Sequence, residues 1–320
     1  MSFSPDWLAL REPFDRAARE ASSLDLQDLQ QQASAAEAGA GGTPYRVLDL
    51  GCGTGANLRV LAPRLGGNQR WHLVDHDARL LAALPGAMTR WAETHRLKTT
   101  QGATDDSLVI EAAHWRAELS WQKADLVREL DALPFAGSQL VTTSALLDLV
   151  SASWLAALLT KVHEAQAALL CSLSVDGRIE WQPAMPADAQ MAKLFAAHQH
   201  RDKGFGGPAL GADAVPRAVE RLVALGYRCV QAGSDWQLAA ASGGARMLVQ
   251  MIDGLADAAL EQDPGARDLV LTWRLQRLAQ AAHSSLQIGH AELLALPAKN
   301  SRVAAGAAAA NAMPGARTMR

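Results

Sequence analysis

The stretch YRVLDLGCGTGANLRVL, from Tyr45 to Leu61, restricts the fold more than any other part of the chain. It begins with an apolar run, YRVLDL, of the kind that suits a buried parallel strand. Three glycines spaced two apart, Gly51, Gly53 and Gly55, then turn the chain, and ANLRVLAPRL follows with helical periodicity. A glycine turn between a strand and a helix lets backbone approach a ligand closely. The ligands to weigh are a nicotinamide dinucleotide, a nucleotide phosphate, another adenosyl ligand, or none. Ala56 completes G-x-G-x-x-G/A, so the dinucleotide pattern is also met.

Strand and helix patterns alternate through the rest of the chain. An amphipathic N-terminal helix over residues 1–32 is expected to break near Pro13, with ASAAEAGAGGTP as a small-residue linker. RWHLVDHD reads as the second strand and about 78–96 as a helix interrupted at Pro85-Gly86. SLVIEAAHW reads as an added edge strand, AELSWQKADL as the third strand and GSQLVTTSALLDLV as the fourth. SASWLAALLTKVHEA is a helix, and ALLCSLSVDGRIEWQP a fifth strand running into an Asp-Gly hairpin. A polar region precedes the helix ADAVPRAVERLVALGY and the strand RCVQAGSDWQLA. Two helices, about 245–262 and 266–283, lead to a last strand, SLQIGHAELLALP, and an alanine-rich tail expected to be disordered. This order predicts an α/β fold, a doubly wound, mostly parallel seven-stranded sheet. It carries an N-terminal helical extension (1–44), a main domain over 45–297 with a helical insertion at about 243–283, and the tail 298–320.

Charge and composition exclude some function classes. The 320 residues are 49% hydrophobic, enough for a sizeable core, and the net charge of −3 carries no polyelectrolyte signature for nucleic acid or an anionic membrane. Cys52, Cys171 and Cys229 are scattered and odd in number, with no C-x-x-C pair, so neither a disulfide framework nor a zinc site is expected. The N-terminus lacks a signal-peptide pattern, and no apolar run approaches the roughly 20 residues that span a bilayer. The expected setting is cytoplasmic.

Three features turn the glycine loop away from a pyrophosphate. Asp49, two residues before Gly51, is awkward beside a diphosphate and suits a cationic ligand. Asp75 ends the second strand, where its two oxygens can bind both hydroxyls of a ribose, as any adenosyl ligand requires, so it does not discriminate alone. Asp125, at the end of the third strand, is a natural partner for an adenine amino group. Taken in order, VLDLGCGTG, HLVDHD, WQKADL...LPF and LVTTSALLDLV resemble the successive motifs of class I S-adenosylmethionine-dependent methyltransferases, over roughly residues 45–240. The resemblance implies the Rossmann-like fold of that family, with SLQIGHAELLALP as its antiparallel seventh strand. It also implies S-adenosyl-L-methionine as cofactor. Asp49, Gly51, Cys52, Gly53 and Gly55 would then form the methionine side of the pocket, with Asp49 orienting the ammonium. Asp75 and His76 would face the ribose, Ala124 and Asp125 would flank the adenine, and Ser144 and Ala145 would line the methyl-bearing side. Two insertions, before the third strand and before the last, depart from the family pattern and leave the substrate open.

Methyl transfer needs alignment and, for a hydroxyl acceptor, a base. Asp148, following the fourth strand, is the candidate catalytic residue, as base or substrate anchor; the alternative is a helix-face carboxylate. The loop AAHQHRDKGFGGPALG groups His198, His200 and Lys203 as candidate substrate contacts. Its His-x-His lacks the further ligands of a metal site, so no metal is expected. Arg11 is a substrate-side candidate if the N-terminal helix covers the pocket, as it does in many members of that family. Trp154 is a further candidate, as pocket wall or core. The expected reading is a methyltransferase for a small-molecule acceptor. The alternatives are a NAD(P)-dependent oxidoreductase and a non-catalytic cofactor-binding protein of the same fold.

Overall fold

The computed structural model describes residues 4–38 and 42–298. Two helices come first, α1 (Pro5–Ala21) and α2 (Gln27–Ala38). The motif follows as β1 (Tyr45–Leu50) and α3 (Ala56–Leu65), then β2 (Gly67–Asp75) and α4 (Ala78–Thr94). Next are β3 (Lys98–Gln101), β4 (Ser107–Glu111), β5 (Trp115–Lys123), β6 (Leu140–Ser144), α5 (Ala152–Glu164) and β7 (Ala168–Gln182). The chain continues through α6 (Asp188–Gln199), α7 (Ala214–Ala224), β8 (Tyr227–Gly233), β9 (Trp236–Ala239), α8 (Ala245–Gln262), α9 (Arg267–Gln280) and β10 (Ser285–Pro297).

One mixed sheet holds the strands in the order β3-β4-β5-β2-β1-β6-β7-β10-β8, with β9 also on β10. From β5 to β7 the neighbours run parallel, and β10 lies antiparallel between β7 and β8. Counting the seven strands of the expected fold along the chain gives the spatial order 3-2-1-4-5-7-6, with the antiparallel seventh strand implied by the resemblance. β3 and β4 extend one edge as an antiparallel meander, and β9 lengthens the other. Burial follows the two faces. Leu29, Leu58 and Leu84, from α2, α3 and α4, pack on one side. Leu158 and Leu222, from α5 and α7, pack on the other, so the sheet is doubly wound. A third cluster joins α1, α6, α8 and α9 to β9 and the far halves of β7 and β10, around Trp181, Trp236 and Trp273. Arg277, fully buried in α9, lies over the Trp181 ring at 4.5 Å and pairs with Asp188 of α6, which also accepts from Trp273 Nε1. The pair fixes α9 to α6, and the ring contact fixes it to β7.

Several expectations need correction. α1 runs unbroken through Pro13, and the chain breaks instead at Ser22. Glu12 holds the helix there through a two-pronged pair to Arg59, with both contacts at 2.6 Å. α4 likewise continues through Pro85-Gly86, its Leu80, Leu84 and Met88 buried on one stripe. Much of the expected linker is the C-terminal half of α2. Asp176-Gly177 makes no hairpin: β7 continues through it as a bulge, with residues 176–178 opposite Gly289 of β10 and Gly177 at φ +89°. A side chain at Gly289 would strike Asp176, its Cβ 2.1 Å from Oδ1. RCVQAGSDWQLA is two strands, bent at Ser234-Asp235 so that both pair with β10. The polar region before residue 200 contains α6. The expected disordered tail, past Ala298, lies outside the described residues. No helix among the described residues is long and apolar enough to cross a membrane.

Candidate functional site

Strand order reverses between β1 and β6, and a cleft opens there beyond the carboxyl ends of the parallel strands, where ligands bind in sheets of this kind. Its volume is about 370 Å³. The glycine loop forms its floor, β2 and the segment after β5 one end, and β6, α1 and residues 203–205 the other.

The three glycines do different work. Gly51 and Gly53 line the cleft at φ +69° and +55°, and Leu146 and Leu8 crowd the space their side chains would take. Gly55 lies outside the lining. It precedes α3 at φ +83°, a left-handed conformation that favours glycine, and a Cβ there would sit 2.0 Å from Met88 Cε, so the Met88 side chain would have to move. The loop amides are mostly taken within the protein. Cys52 N donates to Val74 O at 3.0 Å, Gly53 N to Asp75 Oδ2 at 2.8 Å, and Gly55 N to Cys52 O at 2.8 Å. Burial and the nearby Asp49 and Asp75 push the Cys52 thiol far up, so it has no nucleophilic character.

Asp75 is 5% exposed and bridges the loop to the start of α4, since its Oδ1 accepts from Asp77 N at 2.9 Å. Each oxygen keeps a lone pair for a ligand. His76 and Asp77 line the same end, with Leu80, Leu126 and Val127 as an apolar slot beside them. Asp125 reaches the cleft, while Ala124 faces the core. At the opposite end Ser144 and Ala145 both line the cleft, and Ala145 holds φ +53°, a conformation that L residues other than Asn and Asp rarely adopt.

Asp49 does not reach the cleft surface. It is fully buried, and its Oδ1 accepts from Asn57 Nδ2 at 2.8 Å while Oδ2 has no partner. Asn57 does line the cleft. Its second amide hydrogen goes to Thr142 Oγ1 at 3.1 Å, and its oxygen accepts from Arg19 Nη1 at 2.9 Å. Arg19, 2% exposed on α1, lies 3.6 Å from Glu292 of β10, which is equally buried. Burial pushes the Asp49 carboxyl up to about 7, with Asn57 and Arg19 pulling the other way. Sequence reasoning missed Asn57, Arg19 and Glu292. One signal was at hand: the polar Asn57 stands in the first turn after the glycine loop.

Asp148 lies in a short turn after β6, 7% exposed and behind the cleft lining formed by Leu146 and Leu149, with Oδ1 buried and unpartnered. Burial raises its carboxyl to about 6, against backbone amides and the charges of Arg11 and Lys203. Arg11 lines the cleft, paired with Asp15 at 2.9 Å and stacked 4.9 Å from the centre of the Trp236 ring. Lys203 also lines the cleft, its Nζ donating to His198 O at 3.0 Å. The other substrate-side candidates lie behind the wall. His198 is buried against Glu261, and His200 bonds Ala209 O through Nδ1. Trp154 braces the wall from beneath, donating to Leu126 O at 2.8 Å and meeting Phe205 edge-on. Among the described residues, no cluster of His, Cys, Asp or Glu is placed to hold a metal.

No protein-family model matches the chain, and no curated protein does. Solved structures match it over most of its length. A methyltransferase of Thiobacillus denitrificans, S-adenosylmethionine-dependent and in complex with S-adenosyl-L-homocysteine, is 14% identical, with 92% of this chain and 99% of that one covered at a TM-score of 0.38. A structure concerned with converting a disulfide bond into a thioacetal group in echinomycin biosynthesis is 16% identical, covering 93% and 98% at 0.39. An arsenic(III) S-adenosylmethionine methyltransferase of Chlamydomonas reinhardtii is 12% identical, covering 80% and 64% at 0.36. The α/β fold, a mixed sheet with a parallel core, is read from this chain's own strand order.

Proposed function

We propose that the protein is an S-adenosylmethionine-dependent methyltransferase acting on a small molecule. One observation favours this reading over a dinucleotide enzyme: the amide of Gly53, the middle glycine of the loop, is donated to Asp75 Oδ2 at 2.8 Å, so the loop meets a carboxylate where a pyrophosphate would need a free donor. A cationic sulfonium ligand needs neither free amides nor a positive wall, and the carboxylates favour it. Asp75 would hold the ribose hydroxyls, the slot of Leu80, Leu126 and Val127 the adenine with Asp125 at its edge, and Gly51, Gly53 and Asn57 the methionine portion. Asp49 would act from behind Asn57, holding that amide in place beside the ligand. On this reading 1–44 serves as a lid and 45–297 as the catalytic domain.

When bound, S-adenosylmethionine supplies a methyl group on an electrophilic sulfonium carbon. The chain's own part is to align an acceptor against the Ser144-Ala145 edge and to receive its proton. Asp148, just behind the lining at Leu146 and Leu149, is the candidate for the second task once the wall yields to the acceptor, because a buried carboxylate with an unpartnered oxygen and a raised pKa is a stronger base than a solvated one. α1 on one side and residues 203–205 on the other border the cleft where a small acceptor would enter.

Calorimetry tests the cofactor assignment. S-adenosylhomocysteine is expected to bind and NADH to give no heat; the reverse result ends the proposal. A second measurement concerns the base. An Asp148 that must be ionised gives a kcat rising with pH through about 6 and level above it. Asp148→Asn is expected to lower kcat by about 10²-fold and to flatten that profile, with cofactor affinity nearly unchanged. Lost cofactor binding would make Asp148 a cofactor or fold residue instead.

A further inference from the structure

The two ends of the cleft differ in charge, and this difference bears on the acceptor. Asp75, Asp77 and Asp125 line one end; Arg11, Asp15 and Lys203 line the other, where Asp15 is paired with Arg11 and Lys203 has no carboxylate partner among the described residues. Resting on the methyltransferase reading above, we infer that the acceptor carries an anionic group, of carboxylate type, seated between Lys203 and Arg11 with its nucleophilic atom toward Asp148.

Lys203 is held for such a group. Its Nζ is fixed by the carbonyl at the end of α6, 3.0 Å away, and His198 Nδ1 lies at 3.4 Å, which leaves an N–H for the cleft. Its ammonium has no ion-pair partner among the described residues. The nearby carboxylate of Glu261 is engaged by His198 at 3.1 Å and Arg201 at 3.0 Å. A partly desolvated ammonium without a counter-ion is costly unless a ligand supplies one.

Arg11 commits Nε and Nη2 to Asp15, whose Oδ1 is also tied to Trp236 Nε1 at 2.9 Å, so the guanidinium is clamped with Nη1 left over. Asp148 is more than nine-tenths buried with an oxygen lacking any partner. The charges of both Arg11 and Lys203 act on it. An anion on the acceptor would pair with Lys203 and meet the remaining Nη1 of Arg11. A neutral acceptor would leave Lys203 unpaired, and a cationic one would be repelled from this end.

The test uses the full chain saturated with S-adenosylhomocysteine, with benzoate and its neutral isostere benzamide as probes in ligand-observed NMR. Benzoate is expected to bind about tenfold or more tightly than benzamide, as a charge-assisted contact to an ammonium implies. Lys203→Met should remove that preference and leave benzamide binding unchanged. Asp148→Asn, which deletes the opposing negative charge, should strengthen benzoate severalfold. A merely structural role for either residue would not move the two probes in these opposite directions. Equal affinity for both probes, neither binding up to about 20 mM, or a preference that survives Lys203→Met overturns the anionic acceptor. Failure of S-adenosylhomocysteine to bind at all brings down the parent reading, and this one with it.

Discussion

Asp75→Ala is expected to raise the Kd for S-adenosylhomocysteine by about 10²–10³-fold, the value of two charge-assisted hydrogen bonds at about 1.5–3 kcal/mol each, less what water recovers. The carboxylate sits at the lip of β2, 5% exposed, and is already oriented by Gly53 N and Asp77 N. Little entropy remains to be lost when two hydroxyls arrive. The alanine variant also frees the Gly53 amide, so the loop itself loosens. Asp75→Asn separates the two effects. It retains an acceptor for one backbone amide but turns a donor toward the other, so an intermediate loss, about tenfold, is expected. Calorimetry on the folded variants, with thermal melts to confirm folding, decides it. A Kd unchanged in Asp75→Ala ends the ribose assignment and leaves Asp75 as a strut of the glycine loop.

What was legible in the sequence was local and periodic. Tyr45–Leu50 and Ala56–Leu65 form as read because an apolar strand, obligatory glycines and a helical stripe are all encoded within 21 residues. The last strand was legible as an apolar run, and its antiparallel direction followed from the resemblance. Misreadings occurred where tertiary packing overrides local preference. Pro13 and Pro85 each remove one helical hydrogen bond, a loss offset by the Glu12–Arg59 pair in one case and by a buried Leu80, Leu84 and Met88 stripe in the other. Asp-Gly signals a hairpin only when the flanking strands pair with each other. Here β10 takes β7 across its whole length, so 176–178 becomes a bulge. The helix α6 buries only Met191 and His198, too faint a stripe to read. The cleft's acidic end was legible because Asp75 and Asp125 end strands. The Arg19, Asn57 and Glu292 contacts were not, because they join residues that no local pattern connects.

Those contacts carry the prediction with the largest effect on stability. Arg19→Met is expected to cost about 3–5 kcal/mol of unfolding free energy, because it leaves Glu292 and Asp49 buried without their cation. Arg19 Nε and Glu292 Oε1 already lack hydrogen-bond partners, so this is a charge pair in a dry place and not a well-bonded one. Such pairs are often replaceable as a unit. Arg19→Met with Glu292→Leu should therefore recover much of the loss, a coupling of about 2 kcal/mol or more in a double-mutant cycle. The pH dependence gives an independent check. A buried carboxylate whose folded pKa is raised takes up protons on folding, so its contribution is unpenalised below the unfolded value near 4 and stability falls as pH rises toward the folded value. Asp49, at about 7, gives the wild type a decline between about pH 4 and 7. Removing the guanidinium pushes Asp49 and Glu292 further up, so Arg19→Met should steepen that decline and extend it above pH 7. Urea melts at several pH values would show it. A variant that loses stability equally at every pH would mean that Arg19 acts through packing of its stem and not through its charge.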